Sequence, residues 1–320
     1  MMGNGSFSSS ESVNPDFYNG HHIYIPFCTG DWHSGQVSAP SNESWGFCFD
    51  GHLNIEHILD VLISKYHIQR KAKHILVTGQ AAGAISTLMH CDFIAEYVRA
   101  KEHGISVKCI ANSGWFFPGN TSDQRTDPMF PPNDYPHYIE GNDSVDGGFG
   151  HDGTVPALWN SYLHPDCVHF VNRNDWDNSW HCFNVHTLYP FIKTPLFVMN
   201  NQFDSAAITI ALEMPNEVNE NTKRYVHYFG DSMQNSILNY MLNENHKGDG
   251  AFLASCYEHV SGLDVGRQGA TTKVMGHDSS EVAGDWFWGR NKLPHVVYDD
   301  RTCDLPCNPT CQGFGPAKST

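Results

Sequence analysis

The chain has 320 residues and carries 35 acidic against 19 basic side chains, a formal charge of −16. That excess repels nucleic acid and other polyanions at neutral pH, and no apolar run is long enough to span a membrane. Twenty histidines qualify the first exclusion, because with pKa values near 6.5 many would be charged by about pH 5.

Residues 1–11 are rich in Gly and Ser and read as a disordered start. No charge run, repeat or Pro/Gly-rich linker follows, so residues 12–320 read as one domain. His22 to Phe27 is an apolar stretch of strand type. Downstream of it, His33 is either a substrate contact or a packed loop side chain, the second being preferred. From Asn54 to Tyr66, Ile55, Ile58, Leu59, Leu62 and Ile63 recur at helical spacing. Strands are expected at Ile75 to Thr78, Val107 to Ala111 and Leu196 to Met199. Their alternation with helical stretches predicts an α/β fold, a mostly parallel sheet with helices on both faces.

The most informative stretch is HILVTGQAAGA, His74 to Ala84. An apolar strand runs into Gly79-Gln80-Ala81-Ala82-Gly83, and a helix follows with Ile85, Leu88, Met89 and Phe93 on one stripe. This is the setting of a nucleophile elbow, where glycines flank a strained residue that presents its side chain to a substrate. An ordinary strand-to-helix turn would read the same way. If it is an elbow, its central residue is Ala81, and a methyl group cannot attack a carbonyl. The sequence thus argues against serine-type acyl transfer through this turn.

Asp204 follows the strand at Leu196, and His259 lies in FLASCYEH; taken singly, either would be a solvated loop residue. Trp115, Phe116 and Phe117 form an aromatic trio after a strand and read as core as readily as ligand contact. His277, in a polar stretch, reads as a surface residue. Ten cysteines are compatible with disulfides or with buried thiols. Cys303, Cys307 and Cys311, interleaved with prolines, suggest a disulfide-pinned tail rather than a zinc site, since the spacing of zinc ligands is missing. Sequons stand at Asn4, Asn42, Asn120 and Asn142.

Several segments together resemble the pectin acetylesterase and Notum family of α/β carboxylesterases. They are NPDFYNGHHIYIPFCTGD (Asn14 to Asp31), the elbow stretch, VKCIANSGWFF (Val107 to Phe117), TPLFVMNNQFDS (Thr194 to Ser205), FLASCYEH (Phe252 to His259), GDWFWGR and CDLPCNPTC. The resemblance implies an α/β-hydrolase-like fold and a triad with Ala81 in the serine position, Asp204 as acid and His259 as base. Ala82 would supply an oxyanion N–H, and Trp115, Phe116 and His33 would border the pocket. It implies an ester substrate or ligand, an acetylated polysaccharide or an acylated protein, with no cofactor and no metal. A secreted, disulfide-bonded, glycosylated protein is expected on the same ground.

Two departures from the family pattern stand out. Gln80 and Ala84 replace small residues that flank the serine in the family. The chain also begins downstream of the family's Gly-rich oxyanion loop, so an N-terminally truncated hydrolase fold is expected, without a signal peptide. Three readings follow in order: a carboxylesterase inactivated at its nucleophile, a binding protein on the same scaffold, and a hydrolase with a displaced nucleophile such as Ser86 or Thr78. In the first, Ala81→Ser alone would restore little turnover.

Overall fold

The computed structural model describes residues 8–101, 104–116, 154–173, 179–212, 220–242, 248–260, 272–300 and 307–311. The chain divides into two compact units. The first comprises Pro26–Thr121 and Val145–Leu196; the second comprises Met1–Ile25, Ser122–Ser144 and Phe197–Thr320. The fold is α/β and α/β-hydrolase-like, and its main strands pair in parallel.

In the first unit, helix α1 (Gly51–Ser64) turns Ile55 and Leu59 into the core. Strand β1 (His74–Gln80) pairs in parallel with β2 (Ser106–Asn112), from His74 opposite Ser106 to Gln80 opposite Asn112. Helix α2 (Ala82–Arg99) makes the crossover between them, and the Cys91–Cys109 disulfide pins it to β2. Ala95 and Val98 of the helix pack with Ile105, Val107, Ile75 and Val77. The expected apolar stripe understates this helix. Every residue from Ala84 to Asp92 is buried, polar ones included. Those polar groups find local acceptors: Thr87 Oγ1 donates to the Gly83 carbonyl, and His90 Nδ1 pairs with the Ser86 carbonyl. Helix α3 (Pro165–Arg173) is closed by Cys167–Cys182.

Asp92 ties this unit together. Its Oδ1 accepts from the Thr194 N–H at 2.8 Å, and its Oδ2 accepts from the Lys193 N–H at 2.9 Å and from His164 Nε2 at 3.1 Å. Burial alone would raise this carboxyl. The donors outweigh it and hold the pKa at about 2.

In the second unit, β3 (Leu196–Asn201), β4 (Gly250–Ala254) and β5 (Val296–Tyr298) form a parallel set with β4 in the middle. Helix α4 (Ser205–Leu212) leaves β3 after a short turn. Successive residues of a strand face opposite ways. Phe197 meets Trp286 of α6 (Ser279–Trp288), while Asn200 on the other face reaches Met233 of α5 (Glu220–Met241). Helices therefore cover both faces of these strands, as expected. Gly250 has to be glycine, since a Cβ there would fall 2.6 Å from the Phe197 ring. Asp278 and Glu281 cap α6 reciprocally, and Gly289 ends it in a left-handed conformation.

Two expectations change. His22 to Phe27 forms no strand: Ile23, Tyr24, Ile25 and Phe27 are exposed, and no backbone hydrogen bond joins residues 22–27 to a neighbouring strand among the described residues. An apolar alternation becomes a strand only where a partner edge is available. His277 lies in a two-residue antiparallel pairing with Val274 rather than in a loop, half-exposed beside Glu281. Within the Gly/Ser-rich start, the Ser8 carbonyl accepts from Asn14 Nδ2 at 3.0 Å.

Among the described residues seven cysteines are disulfide-bonded: the two pairs above, Cys256–Cys311, and Cys307. Cys28 and Cys48 are exposed thiols, and Cys303 lies outside the described residues. The tail is thus pinned beside β4, as its spacing suggested. Among the described residues no helix is long and apolar enough to cross a membrane.

Candidate functional site

Ala81 sits between β1 and α2 at φ 52 and ψ −118. Residues with a Cβ rarely occupy this region, at a cost of about 1–3 kcal/mol. The turn is forced on the chain by two contacts. The Ala81 N–H donates to the Asn112 carbonyl at the end of β2, at 2.9 Å, and the Ala81 carbonyl accepts from Ala84 and Ile85. Gly79 allows the strand to come up against the helix: a Cβ on it would overlap the Gly83 carbonyl and lie 2.7 Å from Thr87 Oγ1. Gly114, after β2, is needed for a similar reason, as its Cβ would strike Ala84. Strand, strained residue and helix N-terminus are the geometry of an elbow. A plain packing turn has no use for the strain. Ala82 opens α2, so its N–H has no acceptor within the helix.

In the second unit, Asp204 and His259 meet. They leave the C-terminal ends of two adjacent parallel strands, β3 and β4, which explains how residues fifty-five apart come together. Three bonds between the two loops fix the approach. Asn201 Nδ2 donates to the Glu258 carbonyl at 2.9 Å, the Gln202 N–H to Ala254 at 2.9 Å, and the Ser205 N–H to Glu258 at 3.4 Å. His259 Nδ1 lies 2.9 and 3.0 Å from the two oxygens of Asp204. A carboxylate only accepts, so Nδ1 carries the proton and Nε2 keeps its lone pair in the neutral ring.

Asp204 is fully buried and also accepts from the Ala206 and Ala207 N–H groups at the start of α4, each at 3.0 Å. Burial pushes its carboxyl above the usual range, opposed by the hydrogen bond and charge of His259 and by the two backbone donors. In a pair of this kind the carboxylate orients the ring and stabilises the imidazolium that proton transfer creates.

The aromatic residues separate. Trp115 is buried and packs edge-on against Tyr189, so it belongs to the core. Phe116 lines a small cavity of about 20 Å³ with Trp32, Ile85, Gly114 and Phe183. Phe117 lies outside the described residues. His33 is buried with its ring 5.2 Å from that of Phe27, and its N–H donates to Asp31 at 3.0 Å. Its neighbour Trp32 takes the cavity position instead, stacked on Phe183 at 5.2 Å. The segment was legible in the sequence, but which of two adjacent rings faces the cavity was set by backbone geometry: both residues sit at positive φ.

Asp31 holds that segment. Besides His33 it accepts from the Gly35 N–H at 3.2 Å and the Gly51 N–H at 2.8 Å. Both glycines crowd the carboxylate so closely that a Cβ would overlap it.

The displaced nucleophiles are poorly placed. Ser86 is buried inside α2, and Thr78 is half-buried within β1. Among the described residues no three His, Cys, Asp or Glu side chains gather as a metal site. The histidine argument from charge also narrows. Burial lowers His52 to about 4 and His90 to about 3, so these two resist protonation at pH 5, and it lowers His33 and His181 as well.

A family model for pectinacetylesterases matches residues 1–312. The chain is 26% identical to pectin acetylesterase 4 of Arabidopsis thaliana over 322 residues, covering 96% of this chain and 70% of that one. It is 28% identical to pectin acetylesterase 7 of the same plant over 344 residues, covering 99% and 75%. To the palmitoleoyl-protein carboxylesterase notum1 of Xenopus laevis it is 26% identical over 326 residues, covering 96% of this chain and 59% of that one.

Proposed function

The chain belongs to the pectinacetylesterase family, and from that premise we propose that it is a secreted carboxylesterase relative whose acyl transfer is disabled at Ala81. In the intact reaction a serine hydroxyl attacks the ester carbonyl while Nε2 of the histidine takes its proton. The same nitrogen then returns the proton to the departing alkoxide. Here the Asp204–His259 pair has the orientation for that work, and the strained elbow persists. The reading assigns the nucleophile position to Ala81, the oxyanion donor to the Ala82 N–H, and the acid and base to Asp204 and His259. The observation that carries it is the elbow geometry at a residue with no nucleophilic atom. Secretion is supported by the disulfides, which persist in oxidising compartments.

A fluorophosphonate probe tests this reading. The native chain should not be labelled, and it should not hydrolyse p-nitrophenyl acetate above background. Ala81→Ser should give slow labelling at position 81 that His259→Ala abolishes, with little turnover. Stoichiometric labelling of the native chain at any serine would overturn the proposal. Labelling of the Ala81→Ser chain that ignores His259→Ala would show that the elbow and the pair are not one site.

A further inference from the structure

Trp45 stands on the surface of the first unit in a conformation that its own sequence position disfavours. Residues 41–47 close a tight turn: the Gly46 N–H donates to the Ser41 carbonyl at 2.8 Å and the Trp45 N–H to the Asn42 carbonyl at 3.1 Å. This pair of bonds is the one that ends many helices, and the residue in the place of Trp45 is then usually glycine, because φ must be positive. Here φ is 53 and the residue is tryptophan.

Packing does not explain the choice. Trp45 is 72% exposed, Phe47 nearby is 63% exposed, and the Trp45 indole has no aromatic or hydrogen-bonding partner among the described residues. Nor is the turn loose. The Ser41 N–H donates to Ser44 Oγ at 2.9 Å, the Ser44 N–H to Ser41 Oγ at 3.2 Å, and Ser44 Oγ donates to the Phe47 carbonyl at 2.7 Å. A rigid turn holds a large apolar ring out to water at a conformational cost. Strain of this kind clusters where a side chain meets a ligand.

The ligand is indicated by the residue three positions earlier. Asn42 begins the sequence Asn42-Glu43-Ser44, an acceptor for N-linked glycosylation, and it is exposed. Its carbonyl receives the Trp45 N–H, so the two side chains leave the same turn. We propose that Asn42 carries an N-linked glycan whose first sugar rings lie on the indole of Trp45, with Phe47 extending the platform. One face of a pyranose presents C–H groups, which pack on an aromatic ring and remove apolar area of both from water. The modification requires the secretory route, so the inference rests on the secreted reading above.

The test uses the full chain secreted from eukaryotic cells. Intact mass before and after peptide N-glycosidase should show a glycan that Asn42→Gln removes. Trp45→Gly should then act with opposite sign in two backgrounds. With Asn42→Gln it should raise Tm by roughly 2 °C, by relieving the left-handed strain. In the glycosylated chain it should lower Tm, because the stacked sugar loses its ring. An unoccupied Asn42 in a sample whose disulfides have formed would overturn the inference and leave the secreted reading standing. The same Tm change in both backgrounds would overturn the stacking.

Discussion

Replacing Asp92 by asparagine should remove a specific part of the acid sensitivity of the protein. Asp92 is a residue of α2, and it holds the Lys193 and Thr194 N–H groups just before β3, together with His164. Its carboxyl sits at about 2 against an ordinary 3.8. A lowered folded-state pKa means that the folded chain binds this proton more weakly than the unfolded one. The stabilisation is therefore complete above about pH 4 and is lost as pH falls through about 2. The shift corresponds to about 2 kcal/mol, and since the side chain is only 6% exposed, solvent screening takes little from it. An asparagine has one acceptor oxygen for three donors, so the variant should lose a comparable amount at pH 7. Urea denaturation of both chains, followed by tryptophan fluorescence at pH 7, 4, 3 and 2.5, measures the difference. That difference should be near 2 kcal/mol at pH 7 and 4 and shrink below pH 3. A gap that stays constant to pH 2.5 would refute the reasoning, because the donors would then be indifferent to the charge.

Gly79→Ala should cost about 3 kcal/mol or more or prevent folding, as its Cβ overlaps the Gly83 carbonyl. Gly83→Ala, which meets nothing within 4 Å, should be neutral or stabilise by up to about 1 kcal/mol; thermal denaturation of the two variants checks the contrast. His52, lowered to about 4 by burial, contributes stability that is present above pH 6.5 and lost as pH falls towards 4. The stability of His52→Phe should accordingly vary less across that window in the same urea assay. Alkylation without reductant should modify Cys28 and Cys48 quickly and leave Cys91, Cys109, Cys167, Cys182, Cys256 and Cys311 untouched. Modification of any of those six by mass spectrometry would contradict the pairing.

The sequence by itself determined the strands at Ile75, Val107 and Leu196, the helices after Asn54 and Ala81, and that position 81 offers only a methyl group. These are local matters: a hydrophobic period sets an element, and a residue type sets which atoms it can offer. It also singled out Asp204 and His259, but only through motifs. Their meeting depends on β3 and β4 being neighbours in register, which no local pattern encodes. Tertiary structure alone decided that His22 to Phe27 lacks a partner edge, since pairing belongs to two segments and not to one. It decided that Trp32 rather than His33 lines the cavity, because two left-handed residues in succession turn the chain. It likewise decided that α2 is buried nearly all round, which gives Asp92 and His90 their shifted titration. Burial is a property of everything packed around a side chain, and the sequence of one helix does not contain its neighbours.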